Sequence, residues 1–107
     1  MTYDEFLDIA FALPDVEESL YYGQPTIKRG KRFMFALKAD GETVAMKLPW
    51  DSRNHLLDQQ PEHFFLTPHY EEWPYVLIRF EQIEREQAQE LIKTAWEDAP
   101  LPAKRRR

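Results

Sequence analysis

Hydrophobic positions recur with helical spacing at both ends of the chain and alternate through its middle, a change of period that predicts a mixed helix and strand fold. Phe6, Ile9, Ala10 and Leu13 stand at i, i+3, i+4 and i+7, the stripe of an amphipathic helix. Thr2 and Glu5 fit a capping box at its start, and Pro14 stops it. Residues 15–19 read as an acidic loop, after which Gly23, Gln24 and Pro25 turn the chain into a sheet. Phe33, Phe35 and Leu37 alternate with Arg32, Met34, Ala36 and Lys38, and Val44, Met46 and Leu48 alternate with Thr43, Ala45 and Lys47. These are strands with one apolar face each, and Asp40-Gly41 between them is a hairpin signal.

Pro49 ends the second of these strands, and Asp51 or Ser52 is the expected cap of a short helix that carries Leu56 and Leu57 toward the core and stops before Pro61. Residues 63–67 and 75–80 read as two further strands around a loop, 68–74, that carries His69, Tyr70 and Trp73. Ala88, Leu91, Ile92, Ala95 and Trp96 mark the core face of a last helix ending by Pro100. The order helix, three strands, helix, two strands, helix predicts an α+β fold in two layers: one antiparallel sheet of about five strands, α-β(3)-α-β(2)-α, with helices on one face. A single domain is expected over residues 1–100, followed by a basic flexible tail, 101–107.

Composition narrows the function classes. Hydrophobic residues at 43% and aromatics at 14% suffice for a packed core, and no apolar run approaches the ~20 residues of a membrane span. The first residues lack the pattern of a signal peptide, so a cytoplasmic, non-membrane protein is expected, monomeric or weakly dimeric. With no cysteine there is no thiolate chemistry and no disulfide. The net charge of −5 conceals an asymmetry, since residues 1–103 carry ten cations against nineteen anions and the last four residues are all basic. An acidic body repels nucleic acid at long range, so any such contact must come from a local basic patch.

Two patches qualify. Lys28, Arg29, Lys31 and Arg32 flank Gly30 in a turn, and Lys104, Arg105, Arg106 and Arg107 end the chain. Cations on a β-ribbon tip suit phosphate contacts, and a basic terminal arm suits the same partner; a solvated hairpin end kept charged against edge association explains the turn equally simply. Trp50, His69, Tyr70 and Trp73 are candidate walls of a small-ligand pocket, or rings that pin a loop to the sheet. His55, His63 and His69 match no metal-ligand spacing, so neither metal nor cofactor is expected. Ser19 and Ser52 lie in no nucleophile elbow, and Gly23, Gly30 and Gly41 are too scattered to cradle a phosphate, which points to a non-enzymatic protein.

Four segments in order, Leu-Pro-Asp-Val-Glu-Glu-Ser (13–19), Gly-Gln-Pro-Thr-Ile-Lys (23–28), Lys-Arg-Phe-Met-Phe-Ala (31–36) and the stretch from Trp73 to Phe80, resemble the MmcQ/YjbR family of small bacterial proteins. The resemblance implies an α+β fold similar to type III secretion chaperones and DNA binding through a double wing of hairpins, with no catalytic residues to carry over. The matching positions here are Lys28, Arg29, Lys31 and Arg32, with Lys38 and Lys47 nearby. The expected partner is therefore DNA, held weakly and in a salt-sensitive way. The alternative is a protein partner on the open sheet face, at positions such as Ala45 or Tyr75.

Overall fold

The computed structural model describes residues 1–21 and 23–99; the expected tail and Tyr22 lie outside them. In chain order the elements are α1 (Tyr3–Phe11), β1 (Val16–Tyr21), β2 (Gln24–Arg29), β3 (Arg32–Leu37), β4 (Thr43–Lys47), α2 (Trp50–Gln59), β5 (Phe64–Phe65), β6 (Tyr75–Arg79) and α3 (Arg85–Glu97). The strands form one antiparallel sheet in the order β1-β2-β3-β4-β6-β5, with three helices against one face. The α+β class and two-layer plan agree with the sequence; the strand count does not.

The sixth strand is β1, which occupies the stretch expected to be an acidic loop. It pairs along its whole length with β2, from Val16 opposite Arg29 to Tyr21 opposite Gln24. No alternation betrays it, because as an edge strand it exposes Glu17, Glu18 and Leu20. Edge strands carry charge to discourage pairing with other chains, so an acidic strand is a physically consistent edge. Asp15 enters it at φ 65°, a left-handed conformation that Asp tolerates, and its carbonyl accepts a 2.8 Å bond from the Gly30 amide. The basic turn at Gly30 thus joins the second and third strands. Two other boundaries move: β5 is only Phe64–Phe65, and α2 begins at Trp50 with Pro49 at its cap, not Asp51 or Ser52.

Local signals written within a few residues hold as expected. The Thr2 hydroxyl accepts from the Glu5 amide at 3.2 Å, and the Thr2 amide donates to the Glu5 carboxylate at 2.7 Å, a bond that holds the Glu5 carboxyl below its usual range. At the β3–β4 turn Gly41 takes φ 73°, and the Asp40 carboxylate accepts from the Glu42 amide and from the Thr43 amide and hydroxyl. Those bonds, led by the one from Glu42, lower the Asp40 carboxyl likewise.

The core lies between the sheet and the helices. Phe6 and Ala10 of α1 and Ala88, Ile92 and Ala95 of α3 are buried against Ile27, Phe35, Val44, Met46, Val76 and Ile78. A β-bulge reshapes its centre: Ile27 pairs with Phe35 but Lys28 pairs with Phe33, which leaves Met34 with no partner across β2. Met34 and Phe35 are therefore both fully buried. Phe35 meets Phe6 edge-on at 5.9 Å on the helix side, whereas Phe33 meets Tyr75 at 5.5 Å on the other face. The expectation that Phe33, Phe35 and Leu37 share one face is corrected, because one extra residue shifts the phase of the strand.

Candidate functional site

The face of the sheet away from the helices holds a concavity of about 690 Å³. Its floor is shallow because Thr26, Ala36 and Ala45, aligned across three strands, are small. Its walls are rings. Phe33 and Tyr75 meet at 5.5 Å and 84°, Tyr75 and Tyr70 at 6.1 Å and 74°, and Tyr70 and His69 at 4.9 Å and 85°. Among the described residues its cations are Lys28 and Lys31 at one end and Lys38 at the other, and no Asp or Glu is in its lining, although Glu17 stands opposite Lys28 on the neighbouring edge strand. Lys38 Nζ donates to Tyr70 Oη at 2.8 Å and lies 5.2 Å from the centre of that ring, so the ammonium is fixed between a strand end and the loop.

Each component arrives by a traceable route. Lys28 follows buried Ile27 and pairs with Phe33, so the bulge that turns Phe33 outward also matches it with a lysine. Tyr70 and Tyr75 depend on Arg53, a cation only 6% exposed that no sequence signal had marked. Its Nε donates to the Tyr75 carbonyl at 3.0 Å and one terminal nitrogen to the Glu71 carbonyl at 3.0 Å; the other terminal nitrogen donates to Asn54 Oδ1 at 2.7 Å. Leu48 donates to the Pro74 carbonyl at 3.0 Å. The loop between β5 and β6 is thus tied down from α2 and the end of β4, and its His69 and Tyr70 line the hollow in a fixed pose.

Of the four cations in the basic turn, two reach this site. Arg29 turns to the helix side, where its guanidinium stacks 3.7 Å over the Trp96 ring and donates to the Trp96 carbonyl at 3.0 Å. Trp96 in turn donates through Nε1 to the Pro14 carbonyl at 2.8 Å, so Arg29 belongs to a clamp joining β2, α3 and the start of β1. Arg32 pairs with Arg29 at the hairpin end and is exposed outside the concavity. Lys47 is held by Asp98 at 2.8 Å. Lys104, Arg105, Arg106 and Arg107 lie outside the described residues.

The proposed ring pocket divides in the same way. His69 and Tyr70 line the concavity. Trp50 is 48% exposed on α2 with the Arg53 guanidinium 5.0 Å over its ring, and Trp73 is 58% exposed on the loop; neither lines the site. Ala45, read as an exposed sheet position, is buried in the floor. Tyr75 stands on the open face where alternation puts it, whereas Phe33 is the wall residue that alternation alone places wrongly. The three histidines sit apart, His55 on α2, His63 before β5 and His69 on the loop. Other hollows carry acid: one of about 590 Å³ beside Tyr3 and Phe80 is lined also by Asp40, Glu42 and Glu81, and a groove of about 470 Å³ between α2 and α3 by Asp51 and Glu90. Among the described residues no helix is long and apolar enough to cross a membrane.

Comparison with known proteins gives the fold a family. The chain is similar to the crystal structure of Deinococcus radiodurans protein DR2400, with its DUF419 domain, at a TM-score of 0.75 and 16% identity over 89% of this chain and 75% of that one, a likeness of fold. It is 42% identical over 41 residues to the uncharacterized proteins Rv2570 of Mycobacterium tuberculosis and Mb2600 of Mycobacterium bovis, which is 38% of this chain. The match spans about a third of the length of those curated relatives, 32%. The YjbR family model matches residues 11–98, from the end of α1 through α3, and the chain belongs to the YjbR family.

Proposed function

We propose that this chain is a DNA-binding domain, not an enzyme, and that it holds DNA on the open face of its sheet and not at the tip of the basic turn. The observation that carries this reading is the charge of one surface: among the described residues three lysines and no carboxylate line the concavity of a protein with nineteen Asp and Glu. Glu17 stands opposite Lys28 across β1 and β2, and Asp40 is near enough to Lys38 to be lowered by it, so these two carboxylates weaken the pull on a polyanion from beside the hollow, while the lining itself carries positive charge. The rings beside the lysines add stacking surface, and the lining groups offer donors and aromatic faces without a nucleophile, base and orienting partner in series. The net charge of −5 keeps the affinity low, in the roughly micromolar or weaker range of electrostatic binding.

Three phosphate contacts predict that log affinity falls against log salt with a slope of about −2 to −3. Fluorescence anisotropy of a labelled oligonucleotide titrated between low and physiological salt measures it. Replacing Lys28, Lys31 and Lys38 together by Gln should bring the slope near zero, while Arg32→Gln should leave it unchanged. Absence of binding at low salt, or a triple variant with the parental slope, overturns the reading. The volume of the site also fits a second reading, a small anionic ring compound, since ~300–1,000 Å³ is the range of ligand pockets. Thermal-shift measurement with single nucleotides addresses it.

A further inference from the structure

We infer that the open face is built for an unpaired DNA strand and discriminates against duplex; this rests on the DNA-binding reading above and adds the form of DNA. Phe33, Tyr75 and Tyr70 are half-buried and line a hollow over the alanines of the sheet. In a duplex the faces of the bases are covered by their neighbours, and the sugar-phosphate strands reach a protein first. Ring faces recessed between lysines therefore meet only bases free to leave the stack. Consecutive rings stand 5.5 and 6.1 Å apart and nearly perpendicular, at 84° and 74°. A base stacked flat on one of them presents its edge to the next, an arrangement that favours separate bases over a continuous stack.

The spacing of the lysines separates a strand from a single nucleotide. Lys31 precedes β3 and Lys38 follows it, and the six residues between span about 20 Å at the rise of a strand. Cations at both ends of a ring-lined groove of that length fit phosphates several nucleotides apart on one strand. A lone nucleotide would engage one end. The Lys38–Tyr70 bond fixes the far end of this path, and Lys28 lies beside Phe33 near its beginning.

The test compares a labelled single-stranded oligonucleotide of about eight residues with a duplex of equal length, both at low salt. The expected result is at least tenfold tighter binding of the single strand. Tyr75→Leu and Phe33→Leu should each weaken the single strand about tenfold and leave the duplex unchanged. Both are checked for an unaltered melting transition, so that one suffices if the other fails to fold. Equal binding of both forms, unmoved by either ring substitution, overturns the preference for an unpaired strand while leaving DNA binding in place. Binding of neither form defeats both proposals. Competition by a mononucleotide at a concentration no higher than the oligonucleotide requires also overturns the inference, in favour of a small ligand.

Discussion

At the residue scale the least expected group is Tyr3. Its hydroxyl is buried without a hydrogen-bond partner, and burial, with a smaller push from the Glu18 carboxylate, raises its pKa to about 12. The folded value lies above the 10.0 of an unperturbed tyrosine, so the stabilisation is present in full below pH 10 and is lost as pH rises through 10 toward 12. Alkaline titration of tyrosinate absorbance should show a late step that Tyr3→Phe removes, with no loss of stability at neutral pH since no bond is broken; an unchanged titration would contradict this. The capping box at Thr2 and the Asp40-Gly41 turn were legible in the sequence because both partners of every bond lie within three residues. Tyr3 was not, because its environment comes from Phe35, Phe80 and β1.

At the scale of elements, α1, α3, β4 and β6 could be read from period, since apolar residues recur on the face of each that meets the core. β1 could not, because an edge strand of Glu17, Glu18 and Leu20 has no buried face to alternate. Nor could the bulge at Met34, since a register shift is settled by the partner strand. The loop between β5 and β6 depends on Arg53 in the same way. Arg53→Met keeps the length of the stem but strands the Tyr75 and Glu71 carbonyls, and should cost about 2–4 kcal/mol. If the site acts as proposed, that variant, still folded at low temperature, should bind DNA more weakly with a salt slope close to the parental one, because the rings move while Lys28 and Lys31 stay in place and Lys38, though released from Tyr70, keeps its charge. Denaturant melts and anisotropy on the same preparation check both parts; parental stability would show that Arg53 does not hold the loop.

For the whole molecule, stability concentrates where the helix layer meets the centre of the sheet. Phe35 is fully buried and touches both Tyr3 and Phe6, so Phe35→Ala should cost about 4 kcal/mol and lower Tm by roughly 20 °C, measured by calorimetry. Leu20→Ala on exposed β1 should cost almost nothing in the same experiment, and equal losses would contradict this placement of the core. The amino-acid sequence by itself determined the fold class, the helices, the Asp40-Gly41 hairpin and the family resemblance, because each is written in short-range spacing and turn chemistry. The tertiary structure alone decided which cations share a surface. A strand sends neighbouring side chains to opposite faces, so Lys28 and Arg29, adjacent in the chain, part company, one into the ring-lined hollow and the other onto Trp96. The insertion of β4 and β6 beside β3 then brought Tyr75 to Phe33 and Tyr70 to Lys38, meetings across more than thirty residues that no local pattern could announce.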